Sequence, residues 1–179
     1  IPPEETQAAL ALADRLSPGA PAAVEGTVLL ISEAGHSRAE LAEIGRTLDR
    51  FIRFLGAAYG IAPPSHLLRV HLTTGTWEVR RRAEELHGLD VSPATVGYAF
   101  VDDASVVAFV QGTAVGTALH EIFHLLVRES FGDVPQWLDE GMASLYEVAG
   151  REGDVYFGLD NWRGDVLRER PGGRRLQHP

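Results

Sequence analysis

The chain has 179 residues and 19.4 kDa, with 45% hydrophobic and 23% charged side chains, so it is one domain's worth of sequence with enough apolar surface to bury a core, which excludes a disordered chain. Sixteen basic residues stand against 25 acidic ones, and the net charge of -9 disfavours nucleic acid or an anionic membrane as partner, since both need a basic face. Cysteine is absent, so disulfides, thiolate nucleophiles, cysteine-ligated zinc and iron–sulfur clusters are excluded together, and any metal site must be built from His, Asp and Glu.

No apolar run reaches the roughly 18 residues of a membrane span. Residues 1–22 read as an N-terminal helix, Pro3 to Leu16, followed by a linker broken by Ser17, Pro18, Gly19 and Pro21. Val24 to Ser32 is a compact β-branched and apolar run and predicts a strand. Ser37-Arg38-Ala39-Glu40 has capping-box spacing, and Leu41, Ile44, Leu48, Phe51, Ile52 and Leu55 follow at helical spacing to a stop near Gly60. Leu67 to Thr73 predicts a second strand, and Trp77 to His87 a polar helix whose Arg80-Arg81-Arg82 run reads as a solvated face. Two short strands are expected at Val96 to Val101 and Ser105 to Val110, joined by a turn at Asp102-Asp103.

After Gly112 a long helix runs to about Phe131, and the turn Gly132-Asp133-Val134-Pro135 leads into another, Gln136 to Ala149. A last short helix is expected near Asn161 to Arg170, with a polar tail over residues 171–179. This order predicts a single α+β domain, one mixed sheet with helices packed on it.

The chemistry concentrates at His120-Glu121-Ile122-Phe123-His124. Residues four apart on a helix lie about 40° apart around its axis and one turn along it, so the two imidazoles point the same way and can share one metal ion. Glu121 stands beside them, within reach of a water on that metal. Thr113, Gly116 and Thr117 leave room on the same face, while Val115, Leu119, Ile122 and Leu126 bury the other faces. A catalytic zinc takes three protein ligands and keeps one position open. Glu140 follows 16 residues after His124, early in the next helix, where the short turn brings it toward the pair. The competing reading is two hydrogen-bonded core histidines. His66, His71 and His87 lie outside any ligand spacing and read as surface or strand residues.

HEIFH followed by Trp137-Leu138-Asp139-Glu140-Gly141-Met142-Ala143-Ser144 resembles the gluzincin metallopeptidases, nearest to the aminopeptidase N-like pattern in which HExxH precedes a WLNEGFA-type segment. The resemblance covers Gly97 to Glu147. It implies a zincin-like fold, one Zn2+ held by His120, His124 and Glu140, and Glu121 as general base and proton shuttle in peptide hydrolysis. It also implies that an edge strand, here Gly97-Tyr98-Ala99-Phe100, binds the substrate backbone antiparallel.

The chain departs from the family in several places. The spacer before Glu140 is short. Thermolysin relatives carry an Asp one turn after the ligand Glu, to back a histidine; here that position is Ser144, which leaves Ser144 or Asp139 as candidates. No motif marks the residue that stabilises the oxyanion; Tyr146 and Tyr156 are the candidates, with packing aromatics as the competing reading. The segment that captures a free amino terminus has no counterpart, so the expected activity is endopeptidase-like. The expected partner is a peptide or protein substrate. Two alternatives stay open: a zinc-stabilised binding module of the same fold without turnover, and a latent peptidase whose tail, Pro171 to Pro179, fills the cleft with His178 capping the zinc.

Overall fold

The structure, a computed structural model, describes residues 2–112 and 114–160. Thr113, the helix expected at Asn161 to Arg170, the tail at 171–179 and His178 lie outside the described residues. The described residues form a mixed α+β fold with five α-helices: α1 (Pro3–Leu16), α2 (Arg38–Tyr59), α3 (Thr76–His87), α4 (Gly116–Phe131) and α5 (Gln136–Glu147). Five strands make one sheet in the order β1-β2-β3-β5-β4: β1 (Ala22–Glu25), β2 (Val28–Ser32), β3 (Leu68–Thr73), β4 (Gly97–Phe100) and β5 (Ser105–Phe109). β2, β3 and β5 run parallel, while β1 and β4 are antiparallel edges. No helix among the described residues is long and apolar enough to cross a membrane.

The parallel centre is buried on both faces, as such strands must be. Leu68, Val70, Leu72, Val106 and Ala108 face a core closed by α2 and α4, while Leu29 and Ile31 face α1. α2 follows its sequence closely. Ser37 and Glu40 form the capping box, Gly60 ends the helix in the left-handed region, and Leu41, Ile44, Leu48, Phe51, Ile52 and Leu55 are buried.

Several expectations need correction. The run Val24 to Ser32 is a hairpin rather than one strand. It folds at Gly26, whose φ of 55° suits glycine, and Thr27 donates to Asp49 Oδ1 from its backbone N–H at 3.1 Å and its hydroxyl at 3.3 Å. The apolar residues on both sides of the glycine mask the turn. Helix α5 ends at Glu147, and the chain then makes a second hairpin, β6 (Ala149–Glu152) with β7 (Val155–Gly158), in a stretch read as helix end and polar tail. Arg82 is not solvated. It is buried and ion-paired with Glu33 and Glu85, because Glu33 just after β2 reaches across to α3.

β4 lies at the sheet edge with α4 beside it. Its small residues face α4: a Cβ on Gly97 would meet Thr117 and Glu121, and Ala99 packs on the main core. Its aromatics face α3. Phe100 stacks on the His87 ring at 4.1 Å, and the Tyr98 hydroxyl bonds His87 Nδ1 at 2.8 Å. Ser105 and Asp103 complete this network on His87 Nε2, at 3.1 and 3.3 Å. His87, read as a surface or strand residue, is thus a buried anchor of the edge strand. His71 is a buried strand residue and His66 is exposed.

Candidate metal centre

His120 and His124 sit in the middle of α4, which is anchored on the core by Ala118, Ile122, Leu125 and Leu126. Both imidazoles are buried. One turn apart, they point their Nε2 atoms at each other across 3.0 Å, with the rings inclined at 78°. Two ligands on a tetrahedral zinc, each about 2.0–2.1 Å from the metal, stand about 3.3 Å apart. The pair therefore has the spacing of a chelate.

The turn at residues 132–135 reverses the chain, and the Pro135 carbonyl accepts from the Leu138 and Asp139 amides at the start of α5. This lays the Glu140 carboxylate over the histidines, with Oε2 3.7 Å from His120 Nε2 and Oε1 3.7 Å from His124 Nε2. One donor atom from each of the three residues lies within 4.8 Å of the other two. Two imidazole lone pairs and a carboxylate converging on one point repel unless a proton or a cation sits among them. The donors are hard and borderline, with no sulfur, a set that suits zinc. Glu140 is half-exposed, so the centre opens to solvent on that side.

Each histidine also has a carboxylate at its far nitrogen. Asp139 Oδ1 lies 2.7 Å from His124 Nδ1, out of line with the ring N–H, and Asp139 Oδ2 accepts from Arg128 Nη2 at 3.4 Å. Glu147 Oε2 lies 3.9 Å from His120 Nδ1. A carboxylate that bonds Nδ1–H favours that tautomer and leaves the Nε2 lone pair for a metal; here both carboxylates stand at the Nδ1 side of the rings without an in-line bond. The approach of Glu147 depends on Gly116, because a Cβ there would overlap the Glu147 carbonyl oxygen.

Glu121 is half-buried, and its stem lies against Gly97 of β4, between the histidine helix and the sheet edge. Among the candidates for backing a histidine, the structure brings Asp139 to His124. The carboxylate facing His120 comes from Glu147, not from the Ser144 position. Glu147 lies two turns from Glu140 on the same helix face, so its sequence signal is helical spacing from the candidate ligand. Arg128 carried no such signal, because its partner is on another helix.

The two oxyanion candidates both sit in aromatic packing. Tyr146 and Tyr156 are buried against Phe51 and Phe54. The Tyr146 hydroxyl is held by Tyr59 at 2.6 Å, and the Tyr156 hydroxyl donates to the Thr47 carbonyl at 3.1 Å. Tyr146 lies about 120° around α5 from Glu140, given 100° per residue, and so leaves the helix toward the core rather than toward the His120–His124–Glu140 cluster.

The loop before α4 has its own anchor. His36 Nε2 donates to the Gly112 carbonyl at 2.8 Å, and its Nδ1 lies 2.7 Å from Ser32 Oγ. No model of a known protein family matches the chain, and no curated protein matches it.

Proposed function

We propose that the chain is a zinc-dependent peptidase of the gluzincin type on a zincin-like fold, with His120, His124 and Glu140 holding the metal and Glu121 acting as general base. The observation that carries this reading is the convergence of His120 Nε2, His124 Nε2 and the Glu140 carboxylate within 4.8 Å, at the spacing of a chelate and open on one side. Zinc bound there would supply Lewis acidity and a water whose pKa lies near 7.

The protein's own groups supply the rest. Glu121, next to His120 and against the edge strand, would take a proton at its carboxylate and return it to the leaving amine. Asp139 and Glu147 would keep the imidazoles oriented. β4 pairs only with β5 among the described residues, so its outer edge offers N–H and C=O groups to an extended peptide beside Glu121. Gly97 and Ala99 keep that strand close to α4.

The deciding experiment combines metal analysis with a peptide-library digest of the wild type and of Glu121→Gln. The expected result is about one zinc per chain in both proteins and cleavage by the wild type alone. A Glu121→Gln variant that cuts as fast as the wild type overturns the assigned base. A wild type that binds and is stabilised by zinc yet leaves the whole library uncut favours the idle binding module instead.

A further inference from the structure

We infer that Arg128 is a positioning residue that sets the metal affinity of the histidine pair through Asp139; this rests on the metal-centre reading above. Arg128 lies one turn beyond His124 on α4, half-exposed, and its Nη2 donates to Asp139 Oδ2 at 3.4 Å. The other oxygen of that buried carboxylate is the one 2.7 Å from His124 Nδ1. The three side chains thus form a line from solvent to the metal-facing nitrogen: guanidinium, carboxylate, imidazole.

A carboxylate rotates about its terminal bond, and Asp139 sits next to a ligand in the first turns of a short helix. Without a second partner either oxygen could turn from the ring. Arg128 occupies Oδ2 and so assigns Oδ1 to His124. The 2.7 Å approach of Oδ1 to Nδ1 then constrains the ring, leaving Nε2 aimed at His120 and Glu140. The guanidinium also offsets the charge of the buried Asp139 carboxylate beside Glu140. It does this without touching the metal site. His120 is backed by Glu147 across 3.9 Å, a looser arrangement, so the relay places the tighter control on His124.

The test is the zinc affinity of the full chain, measured by competition with a chromogenic chelator, in a double-mutant cycle of Arg128→Met and Asp139→Ala. Losing a carboxylate behind a ligand histidine weakens metal binding by about 10–100-fold, the loss expected for Asp139→Ala. Arg128→Met is expected to weaken binding by about two- to fivefold, the size of a half-exposed ion pair, with Arg128→Lys recovering part of the loss. The double variant should bind no more weakly than Asp139→Ala alone, because Arg128 acts only through Asp139. If Asp139→Ala does not fold, Asp139→Asn takes its place in the cycle. The visible spectrum of the cobalt-loaded protein gives a second readout, expected to shift in Arg128→Met but not between the double variant and Asp139→Ala. Unchanged affinity in Arg128→Met, or an equal further loss on the Asp139→Ala background, overturns the relay and leaves the metal centre standing. A wild type that takes up no zinc removes the metal centre itself.

Discussion

Gly97 of β4 lies directly against Glu121 of α4: a Cβ on Gly97 would stand 3.1 Å from Glu121 Cγ, 2.7 Å from Thr117 Cγ2 and 3.1 Å from the Val107 carbonyl oxygen. Glycine is what allows the sheet edge to come this close to the helix that carries the proposed base. Gly97→Val must therefore push β4 outward or tilt Glu121. Misplacing a reacting group by about 1 Å can cost on the order of 100-fold in rate. The expected outcome is a fall in kcat of at least about tenfold, with zinc affinity within about threefold of wild type, since the histidines are not touched. Steady-state kinetics beside chelator competition separates the two effects. A variant with wild-type kcat shows that the contact does not set the base.

Metal loading should also register in stability. The proposed ligands lie on α4 and α5, so an ion there ties the two helices together and binds only the folded chain. At free zinc about a thousandfold above Kd, linkage predicts a gain of about 4 kcal/mol. For a domain of this size that is a rise in Tm of roughly 8–16 °C. His124→Ala should abolish the response, and a strong chelator should reverse it in the wild type. Differential scanning calorimetry with and without zinc tests this. An equal zinc response in His124→Ala means that the ion acts elsewhere.

What was legible in the sequence follows from the range of the interactions. The histidine pair is a local, one-turn relation on a strongly patterned helix, and the Ser37–Glu40 cap is equally local, so both could be read directly. Glu140 was readable because a short turn makes α4 and α5 neighbours. The links between elements were not. Arg128 and Asp139 meet only after the helices pack, and neither spacing nor periodicity marks them. Arg82 lies in a run of three arginines that looks solvated, but Glu33 arrives from another layer to pair with it. The hairpin at Gly26 was hidden for a different reason. Apolar residues continue on both sides of the glycine, and the side chain that holds its turn, Asp49, is on α2.

His71 predicts how stability depends on pH. Burial, helped by the charges of Arg69 on its own strand and His87 from α3, depresses its pKa to about 4 against the opposing pull of Asp103. In the unfolded chain an ordinary histidine titrates near 6.5. The unfolded state therefore binds the extra proton between those values, and stability is complete above about 6.5 and lost as pH falls toward 4. The slope from this one proton is about 1.4 kcal/mol per pH unit, and the loss approaches about 3 kcal/mol by pH 4. Asp103 acts in a lower window. Burial raises its pKa, but the Ser105 hydrogen bond, Arg69 and His87 outweigh this and hold it below the ordinary carboxylate value, so its contribution is lost only as pH falls further. Urea denaturation of the wild type and His71→Leu from pH 7 to 4.5 is the check. The variant should show a distinctly flatter profile, and parallel profiles would assign the slope to other groups.

The two buried tyrosines give the last prediction, one that separates packing from catalysis. Tyr146 and Tyr156 both meet Phe51 and Phe54 with ring centroids 5.1 to 5.8 Å apart, and burial pushes both hydroxyls above the ordinary tyrosine range, with the Tyr59 bond adding to the effect at Tyr146. A phenol held this way stays protonated at any working pH and is bonded into the core. Tyr146→Phe should therefore keep kcat/KM within about twofold. It should cost about 1 kcal/mol of stability, the net worth of one hydrogen bond whose other partner, the half-exposed Tyr59, can turn to water. Tyr156→Phe should cost about as much, because the Thr47 carbonyl keeps its place in the α2 ladder, again without a kinetic effect. An oxyanion donor behaves in the opposite way: its removal lowers kcat by about 100- to 1,000-fold and leaves stability almost unchanged. Kinetics and denaturation on the same two variants thus give opposite signatures for the two roles. A large kcat loss in either would return that tyrosine to the reaction.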